Sequence, residues 1–221
     1  MPIVASPVQT QLFGPSVALY QGVEADADLG ALFAEERALV AAATERRQAQ
    51  FSVGRQCAHY GLRSLGVPPV AIERGPKREP VWPAAVAGAI SHTNGLVVAA
   101  VAPADVVRSV GIDVEPNAPL PPDVHQRIIR PDEAEHISQF GPEMGWPLDR
   151  LVFSAKESVY KAWYPLAQKW LGFPDASLTI DPWNQRFHAK ILVSGPLSEV
   201  SGRFVITDGH IITAVEVPSR M

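Results

Sequence analysis

The sequence predicts an α+β fold made of two pseudo-symmetric halves, each a helix packed on a three-stranded antiparallel sheet. Helical stretches alternate with groups of short apolar strands along the chain. One pattern also occurs twice: ISHTNGLVVAAV from residue 90 and VITDGHIITAV from residue 205 each read as strand, Asn-Gly or Asp-Gly turn, and apolar strand. We therefore expect residues 1–108 and 109–221 to be the N-terminal and C-terminal pseudo-repeats of one compact unit, with the active site in the cleft between them.

The first half begins with an irregular segment, residues 1–27, which contains one short strand pattern at Ser16–Tyr20. The next stretch, Asp28–Gly66, is rich in Ala, Leu, Glu and Arg and therefore predicts two helical segments. Three strand patterns follow, and Asn94-Gly95 between the first two predicts a type I′ turn, which needs positive φ at both residues. These predicted strands are Val86–His92, Leu96–Val101 and Val107–Glu115.

The second half begins with a proline-rich stretch, Asn117–Pro147, which predicts a loop with one short helix after Pro131. FSAKESVYKAW, Phe153–Trp163, predicts a helix that kinks or ends at Tyr164-Pro165, because proline lacks the N–H that a helix interior requires. The last turn is predicted at Asp208-Gly209. The predicted strands of this half are Phe187–Val193, Gly202–Thr207 and His210–Val217.

Composition narrows the class of protein. The 221 residues are 47% hydrophobic and 19% charged, which is enough apolar material for a folded core. A formal net charge of −4 gives no bulk attraction to nucleic acid or to an anionic membrane. The chain has neither an apolar run of about 20 residues, the length of a membrane span, nor the basic start of a signal peptide. Cys57 is the single cysteine, which excludes an internal disulfide and argues against a cysteine-based zinc site, so we expect a cytoplasmic protein.

The stretch RSVGIDVEP, Arg108–Pro116, combines an apolar strand pattern with two carboxylates. Side chains two residues apart share a strand face, so Asp113 and Glu115 point to one side and the apolar residues to the other. A solvated second face would explain the acids. The alternative is that both carboxylates converge on a hard cation. The apolar face consists of Val110, Ile112 and Val114, and Gly111 lies on the face of the acids.

In the later predicted helix, Glu157 and Lys161 lie four residues apart on the face opposite an apolar stripe. An exposed Glu–Lys pair would explain this pattern. If instead the helix meets the strand, the carboxylates of Asp113, Glu115 and Glu157 surround one point, where their repulsion requires a cation. Ligands that are all oxygen favour Mg²⁺ or Mn²⁺, and Mg²⁺ also binds substrate phosphates, so the substrate should carry a diphosphate. The stripe consists of Ala155, Val159, Ala162 and Trp163.

Basic side chains that suit such a substrate occur near both patterns. Each is also explained as an ordinary surface charge. The loop RGPKREP is not a glycine-rich phosphate loop, so phosphate binding would depend on side chains. The candidates are Arg46, Arg47 and Arg55 in the first helical stretch, Arg74, Lys77 and Arg78 in the following loop, His92 at a strand end, and Lys156 and Lys161 in the later helix.

Together, VGIDVEP and, about forty residues later, FSAKESVYKAW resemble the paired signature of the 4′-phosphopantetheinyl transferases. The similarity is to the longer, monomeric, pseudo-dimeric type that acts on carrier proteins of fatty-acid, polyketide, siderophore and nonribosomal-peptide synthesis. It continues upstream through RRQAQFSVGRQCA, EPVWP and AISHTNG and covers roughly residues 45–173. The double signature in this order and spacing is specific, whereas either half alone would be weak.

The resemblance implies which residues hold the metal and which catalyse. Asp113, Glu115 and Glu157 match the metal-binding acids, for which Mg²⁺ is expected and Mn²⁺ is the alternative. Asp113, Glu157 and Lys161 are the expected catalytic residues: Glu157 would accept the proton of the attacking serine, and Lys161 would stabilise or protonate the leaving phosphate. Lys156 and Lys161 match the two lysines of the second signature and are expected to contact coenzyme A.

The resemblance also implies contacts to the nucleotide end of coenzyme A. Arg47 and Arg55 match basic residues that bind this substrate, and Ser91-His92 match a Ser-His pair whose histidine contacts the 3′-phosphate. Where some members have Gly-Lys-Pro, this chain has Arg78-Glu79-Pro80. We therefore expect Arg74 or Lys77 to supply the contact on the adenine side.

The implied activity is the Mg²⁺-dependent transfer of 4′-phosphopantetheine from coenzyme A to a serine of an apo acyl or peptidyl carrier protein, with release of 3′,5′-adenosine diphosphate. The expected partners are coenzyme A and these carriers, with neither nucleic acid nor membrane, and the enzyme is expected to be a monomer. The stretch 117–147 is expected near the carrier docking surface. Two alternatives remain: a catalytically inactive coenzyme A- or nucleotide-binding protein of this fold, and a metal-dependent phosphohydrolase.

Overall fold

The computed structural model describes residues 3–141, 144–207 and 209–219. It confirms the predicted α+β class, because helices and antiparallel sheets alternate along these residues. The helices are α1 (Gln9–Leu12), α2 (Ala34–Ala38), α3 (Glu45–Ser64), α4 (Pro122–Ile128), α5 (Pro131–Ser138) and α6 (Leu148–Ala167). The strands are β1 (Val4–Ala5), β2 (Ala18–Gly22), β3 (Glu73–Arg74), β4 (Pro80–Val81), β5 (Val86–Thr93), β6 (Leu96–Pro103), β7 (Val107–Pro116), β8 (Ala176–Asp181), β9 (Arg186–Ile191), β10 (Glu199–Ile206) and β11 (His210–Pro218).

The chain divides into two compact units. The first consists of Met1–Thr10, Gly14–Val110 and Pro218–Met221, and the second of Gln11–Phe13 and Gly111–Val217. The predicted pair of pseudo-repeats, residues 1–108 and 109–221, stays a prediction.

The first unit is a four-stranded antiparallel sheet, in the order β1-β2-β6-β5, with α3 packed on it. Helix α3 begins at the cap Thr44, whose Oγ1 accepts from the Arg47 amide, and the chain leaves it through Gly66 at a φ of +73°. The helix lies close to the sheet at Gly61, because a Cβ added there would lie 2.4 Å from Val101 Cγ2. Buried side chains of α3 and the sheet form its core, among them Val53, Cys57, Leu62, Val97 and Val101.

The second unit is a five-stranded sheet, in the order β7-β11-β10-β9-β8, with α6 packed on it. The predicted apolar stripe of this helix is buried, and its largest member, Trp163, is 1% exposed. At Gly111 in β7, a Cβ would lie 1.9 Å from the carbonyl oxygen of Ser158. Glycine therefore allows the main chain of β7 to contact α6 directly.

Two sequence predictions about the sheets were wrong. The described residues form sheets of four, five and two strands, the last being β3-β4, and none of them has three strands. In addition, β7 belongs to the five-stranded sheet instead of continuing the β5–β6 hairpin. Strand β8 was not predicted, and β2 lies beside β6 in the first sheet. The reason is physical: an apolar alternation identifies a strand and its faces but not the strand with which it pairs.

Local predictions were partly right. Thr93 pairs with Leu96, so Asn94-Gly95 is the predicted two-residue hairpin loop, but only Gly95 has positive φ (+80°), which excludes type I′. Helix α6 continues past Pro165 to Ala167, and the C-cap residue Gln168 has a φ of +51°. A proline in the last turn costs a single hydrogen bond, which the packing of the helix tolerates.

The remaining segments also differ from their predictions. The stretch 117–147 contains two helices, α4 and α5, where one short helix was predicted. Asp208 lies outside the described residues, so the predicted Asp208-Gly209 turn is not described. None of the helices in the described ranges combines the length and apolarity that a membrane span needs.

Candidate active site

The acidic face of β7 packs against α6 within the second unit. Asp113 is 4% exposed, its Oδ1 accepts a 2.8 Å hydrogen bond from Lys161 Nζ, and its Oδ2 accepts a 2.9 Å bond from Ser154 Oγ. Ser154 also shares a hydrogen bond with Thr213 of β11. The interpretation of this strand face as solvated is therefore wrong. The structure brings the two signature stretches, VGIDVEP and FSAKESVYKAW, into direct contact.

Glu115 lies near the end of β7 and pairs with Arg150, whose Nη1 is 2.7 Å from Glu115 Oε2. The same guanidinium donates to the carbonyl oxygens of Ala118 and Pro119, each at 3.0 Å. Burial and the charge of Asp113 raise the pKa of Glu115, against the opposing effect of Arg150. Arg150 was not predicted from the sequence, because no local pattern links it to an acid 35 residues earlier.

Glu157 lies on α6 one turn before Lys161 and is half-buried. Burial raises the pKa of Glu157 to about 7, and the charges of Asp113 and Glu115 act in the same direction, whereas Lys161 opposes them. The three predicted metal-binding acids therefore share one electrostatic environment, and their negative charges repel one another there.

Three carboxylates that repel one another are a donor set that suits a hard divalent cation. Among the described residues, however, no group of three His, Cys, Asp or Glu side chains is placed closely enough to hold an ion. Oxygens of Asp113 and Glu115 instead accept from Lys161 and Arg150. A metal would therefore compete with these two cationic side chains for the carboxylate oxygens.

Lys156 has a different environment from the neighbouring acids. Its side chain is buried and forms a 2.7 Å ion pair with Glu133, and its Nζ also donates to the carbonyl oxygens of Ile128 and Phe173 at 2.8 and 2.9 Å. Burial lowers the pKa of Lys156, although Glu133 opposes the shift. Because an ammonium has three N–H donors and all three have protein acceptors here, the predicted contact of Lys156 with coenzyme A is not supported.

A pocket of about 320 Å³ in the first unit is lined by most of the other basic residues that the sequence predicted for the site. Its basic lining residues are Arg47, Arg55, Arg74, Arg78 and His92. Arg47 Nη1 donates to His92 Nε2 over 2.5 Å. Desolvation lowers the pKa of Arg47, and the charges of Arg78 and Arg74 lower it further. Cations that converge and repel in this way suit an anionic ligand such as a phosphate group.

Three predicted residues of this region are not among those that line the pocket. Arg46 and Lys77 are exposed, and Ser91 is buried in β5. Arg78, one of the candidate cations of the loop, lines the pocket. Its positive φ of 70° is the local feature that the sequence did not indicate.

Comparison with known proteins identifies the family. The model of the 4′-phosphopantetheinyl transferase N-terminal domain matches residues 35–102, and that of the 4′-phosphopantetheinyl transferase superfamily matches residues 109–214. The 4′-phosphopantetheinyl transferase Npt of Nocardia iowensis is 42% identical over 202 residues, which cover 85% of this chain and 90% of the relative. This chain belongs to the 4′-phosphopantetheinyl transferase superfamily.

Two further members are similar over most of their length. The 4′-phosphopantetheinyl transferase Svp of Streptomyces mobaraensis is 41% identical over 201 residues, covering 87% of this chain and 81% of the relative. The 4′-phosphopantetheinyl transferase PptT of Mycobacterium tuberculosis is 40% identical over 192 residues, covering 82% and 84%. These findings confirm the predicted transferase and do not favour a catalytically inactive binding protein. Enzymes of this superfamily use coenzyme A, generally with a divalent metal, to modify carrier proteins.

Proposed function

We propose that this 4′-phosphopantetheinyl transferase moves the phosphopantetheine group of coenzyme A to a serine hydroxyl of an apo acyl or peptidyl carrier protein. The serine oxygen attacks the β-phosphorus, the phosphoanhydride bond breaks, and 3′,5′-adenosine diphosphate leaves. The observation that carries this proposal is the contact between β7 and α6, where Asp113, Glu115 and Glu157 share one environment and Lys161 pairs with Asp113.

We propose Asp113, Glu115 and Glu157 as the residues that hold a divalent metal, Mg²⁺ or Mn²⁺. The donor set fits, because all its atoms are carboxylate oxygens and because burial, and after it the repulsion between these acids, raises the pKa of Glu115 and of Glu157. When bound, such a metal polarises the phosphorus and neutralises charge that develops on the phosphate oxygens.

Glu157 and Lys161 have different proposed roles in the transfer. Glu157 is the proposed acceptor of the serine proton, because burial raises the pKa of its carboxyl group to about 7. Lys161 is proposed to stabilise or protonate the leaving phosphate, since its ammonium is held beside the acids by Asp113 and the carbonyl oxygen of Ile112. In this proposal Lys156 supports the helix rather than the substrate.

We further propose that the cationic pocket of the first unit binds the 3′-phosphate of coenzyme A. Arg47 and His92 are in contact there, and Arg55, Arg74 and Arg78 complete its basic wall. A dianionic phosphate would relieve the repulsion between these guanidinium groups. The predicted cleft between the two halves, the monomeric state, the absence of nucleic-acid and membrane partners and the cytoplasmic location stay predictions.

Intact mass spectrometry tests the proposal. The protein is incubated with coenzyme A, Mg²⁺ and several purified apo carrier proteins, and each carrier is weighed. We expect at least one carrier to gain one phosphopantetheinyl group only when enzyme, coenzyme A and metal are all present. Consumption of coenzyme A with no modified carrier, and at the same rate without any carrier, would instead support the phosphohydrolase.

A further inference from the structure

A buried glutamate, Glu36, lies next to Arg55, one of the arginines that line the cationic pocket. Glu36 is 0% exposed in α2, and its Oε2 accepts a 3.1 Å hydrogen bond from the amide of Phe33 at the start of its own helix. Its Oε1 accepts from His59 Nε2 at 3.0 Å and from the Ile72 amide at 2.9 Å. Glu36 therefore ties α2 and α3 to the segment that precedes β3.

Arg55 holds the same segment from its other side. Its Nε donates to the Ile72 carbonyl oxygen at 3.0 Å and lies 3.9 Å from Glu36 Oε1, and its Nη2 reaches the Glu73 carbonyl oxygen at 3.5 Å. The guanidinium also stacks on Phe51, 4.5 Å from the ring centroid. Both polar main-chain groups of Ile72 are thus bound, the N–H by Glu36 and the carbonyl oxygen by Arg55.

The segment held in this way carries the basic wall of the pocket. Arg74 follows Ile72 by two residues, and the short β3–β4 pair places Arg74 opposite Pro80. Within the turn between them, the Gly75 amide donates to the Glu79 carbonyl oxygen and the Arg78 amide donates to the Gly75 carbonyl oxygen. The positions of Arg74 and Arg78 therefore depend on a turn whose start is fixed by Ile72.

Charge provides a second reason to assign a role to Glu36. Arg55 is 5% exposed, and its burial lowers its pKa to about 10, with Arg47 and Arg74 acting in the same direction. Glu36 is the counter-charge that opposes this shift. Without Glu36, the buried guanidinium of Arg55 would lie beside other cations and lack this carboxylate as a counter-charge. An unpaired buried charge is strongly destabilising.

We propose that Glu36 is a positioning residue for the phosphate pocket: through the Ile72 main chain and the Arg55 guanidinium, it sets where the arginines meet the 3′-phosphate of coenzyme A. This inference rests on the proposed function of the pocket. It goes beyond that function because Glu36 touches no substrate and acts only through Arg55 and the main chain of the arginine-bearing turn. The side chain should therefore affect the recognition of one phosphate and not the affinity for the remainder of the ligand.

The test compares Glu36→Gln with Glu35→Gln, a neighbour on the same short helix that is exposed. Calorimetry measures Kd of each full-length variant for coenzyme A and for 3′-dephospho-coenzyme A. For Glu36→Gln we expect about 10-fold weaker binding of coenzyme A, the lower end of the effect of losing a charge-assisted hydrogen bond, and little change for the dephospho ligand. Glu35→Gln should match the wild type with both ligands.

Three outcomes are informative. Equal losses for the two ligands, or no loss for either, would overturn the positioning role while leaving the pocket assignment intact. A wild-type protein that binds both ligands equally well would instead refute the phosphate pocket itself and the inference with it.

A measurement on the wild type keeps the proposal testable if Glu36→Gln does not fold. Hydrogen exchange of the Ile72 amide should be slow both without and with coenzyme A, because Glu36 binds this N–H before the ligand arrives. Fast exchange that becomes slow only when coenzyme A is added would show that the ligand orders the segment, and it would overturn the proposal.

Discussion

Lys161 and Asp113 form a 2.8 Å ion pair that joins α6 to β7 inside the candidate active site. Lys161 Nζ also donates to the Ile112 carbonyl oxygen at 2.9 Å, and the second oxygen of Asp113 accepts from Ser154. The acid of the strand signature thus accepts hydrogen bonds from two side chains of the helix signature. Removal of the whole side chain would deprive Lys161 of its counter-charge and Ser154 of one hydrogen-bond acceptor, so a smaller change is needed to test the site.

Asp113→Asn is therefore the substitution that tests the metal assignment with the least disturbance of the fold. It preserves an oxygen for hydrogen bonding but removes the charge, so we expect the rate of carrier modification to fall by at least about 10- to 100-fold. The rate is measured across a Mg²⁺ titration, with thermal unfolding as a check on the fold. The control is Asp105→Asn, an exposed acid before β7. Near-normal turnover of the folded variant at low Mg²⁺ would rule out Asp113 as a ligand.

His92→Ala tests the phosphate pocket directly. His92 accepts from Arg47, so its loss removes one wall of the pocket and the hydrogen bond that orients the guanidinium. We expect coenzyme A to bind roughly 10- to 150-fold more weakly, the range for a charge-assisted hydrogen bond, with a much smaller effect on 3′-dephospho-coenzyme A. His188→Ala, which changes a partly exposed histidine on β9, is the control. Equal losses for both ligands would reduce His92 to a structural residue.

The sequence predicted strands and helices better than it predicted their partners. The alternation in RSVGIDVEP placed Asp113 and Glu115 on one face of a strand, and the stripe that ends at Trp163 identified the buried face of α6. The strand with which β7 pairs depends on the packing of the whole second unit, and the alternation within β7 does not specify it. Strand β8 was also missed, although its sequence ASLTID alternates apolar and polar residues in the way that a half-buried strand does.

The candidate site was predictable only where residue type and motif agreed. The three acids and Lys161 followed from the double signature, whereas Arg150 reaches Glu115 from 35 residues away and Glu36 reaches Ile72 across 36. Such contacts depend on tertiary structure and leave no pattern in the chain. Lys156 shows the opposite case, because a lysine inside the helix signature was predicted to contact the substrate, whereas its ammonium has three partners within the protein.

Lys156→Met should reduce stability more than substrate affinity. Its removal leaves the carboxylate of Glu133, which is 0% exposed, without its ion-pair partner. Breaking a buried pair in this way typically costs about 3–5 kcal/mol, which urea denaturation can measure. The double variant Lys156→Met with Glu133→Gln should recover part of the loss. Lys169→Met, an exposed lysine after α6, should be neutral. A stable Lys156→Met protein with strongly weakened coenzyme A binding would restore the original assignment to the substrate.

Glu36 should make the stability of the protein depend on pH in the acid range. Burial alone would raise the pKa of Glu36, but hydrogen bonds from His59, Ile72 and Phe33 outweigh it and lower the pKa below 4.5. A carboxyl with a lowered folded-state pKa stabilises the fold above its unfolded pKa and loses that contribution as pH falls through the folded value.

The free energy of unfolding of Glu36→Gln should therefore lie below that of the wild type at neutral pH, and the difference should shrink as the pH falls below about 4.5. Urea denaturation of both proteins over the acid range measures it, with Glu35→Gln as the matched control. A difference that stays constant with pH, or grows in acid, would contradict the lowered pKa.

Glu157→Gln separates metal binding from proton transfer. The side chain is placed by the buried stripe of α6, so its position depends on packing and not on a ligand. Glutamine preserves size and shape but removes the charge and the basic site. If Glu157 only binds metal, raising Mg²⁺ or substituting Mn²⁺ should restore most of the rate. If it also accepts the serine proton, high metal should restore coenzyme A binding but not turnover, because loss of a general base costs about 10²- to 10⁴-fold.

We expect the second outcome, since attack by a serine hydroxyl needs a proton acceptor and neither signature stretch contains a histidine. The rate of carrier modification at saturating coenzyme A, measured across Mg²⁺ and Mn²⁺ titrations beside the exposed-acid control Glu135→Gln, decides between them. Recovery of Glu157→Gln to a near wild-type rate would leave Glu157 as a metal ligand alone.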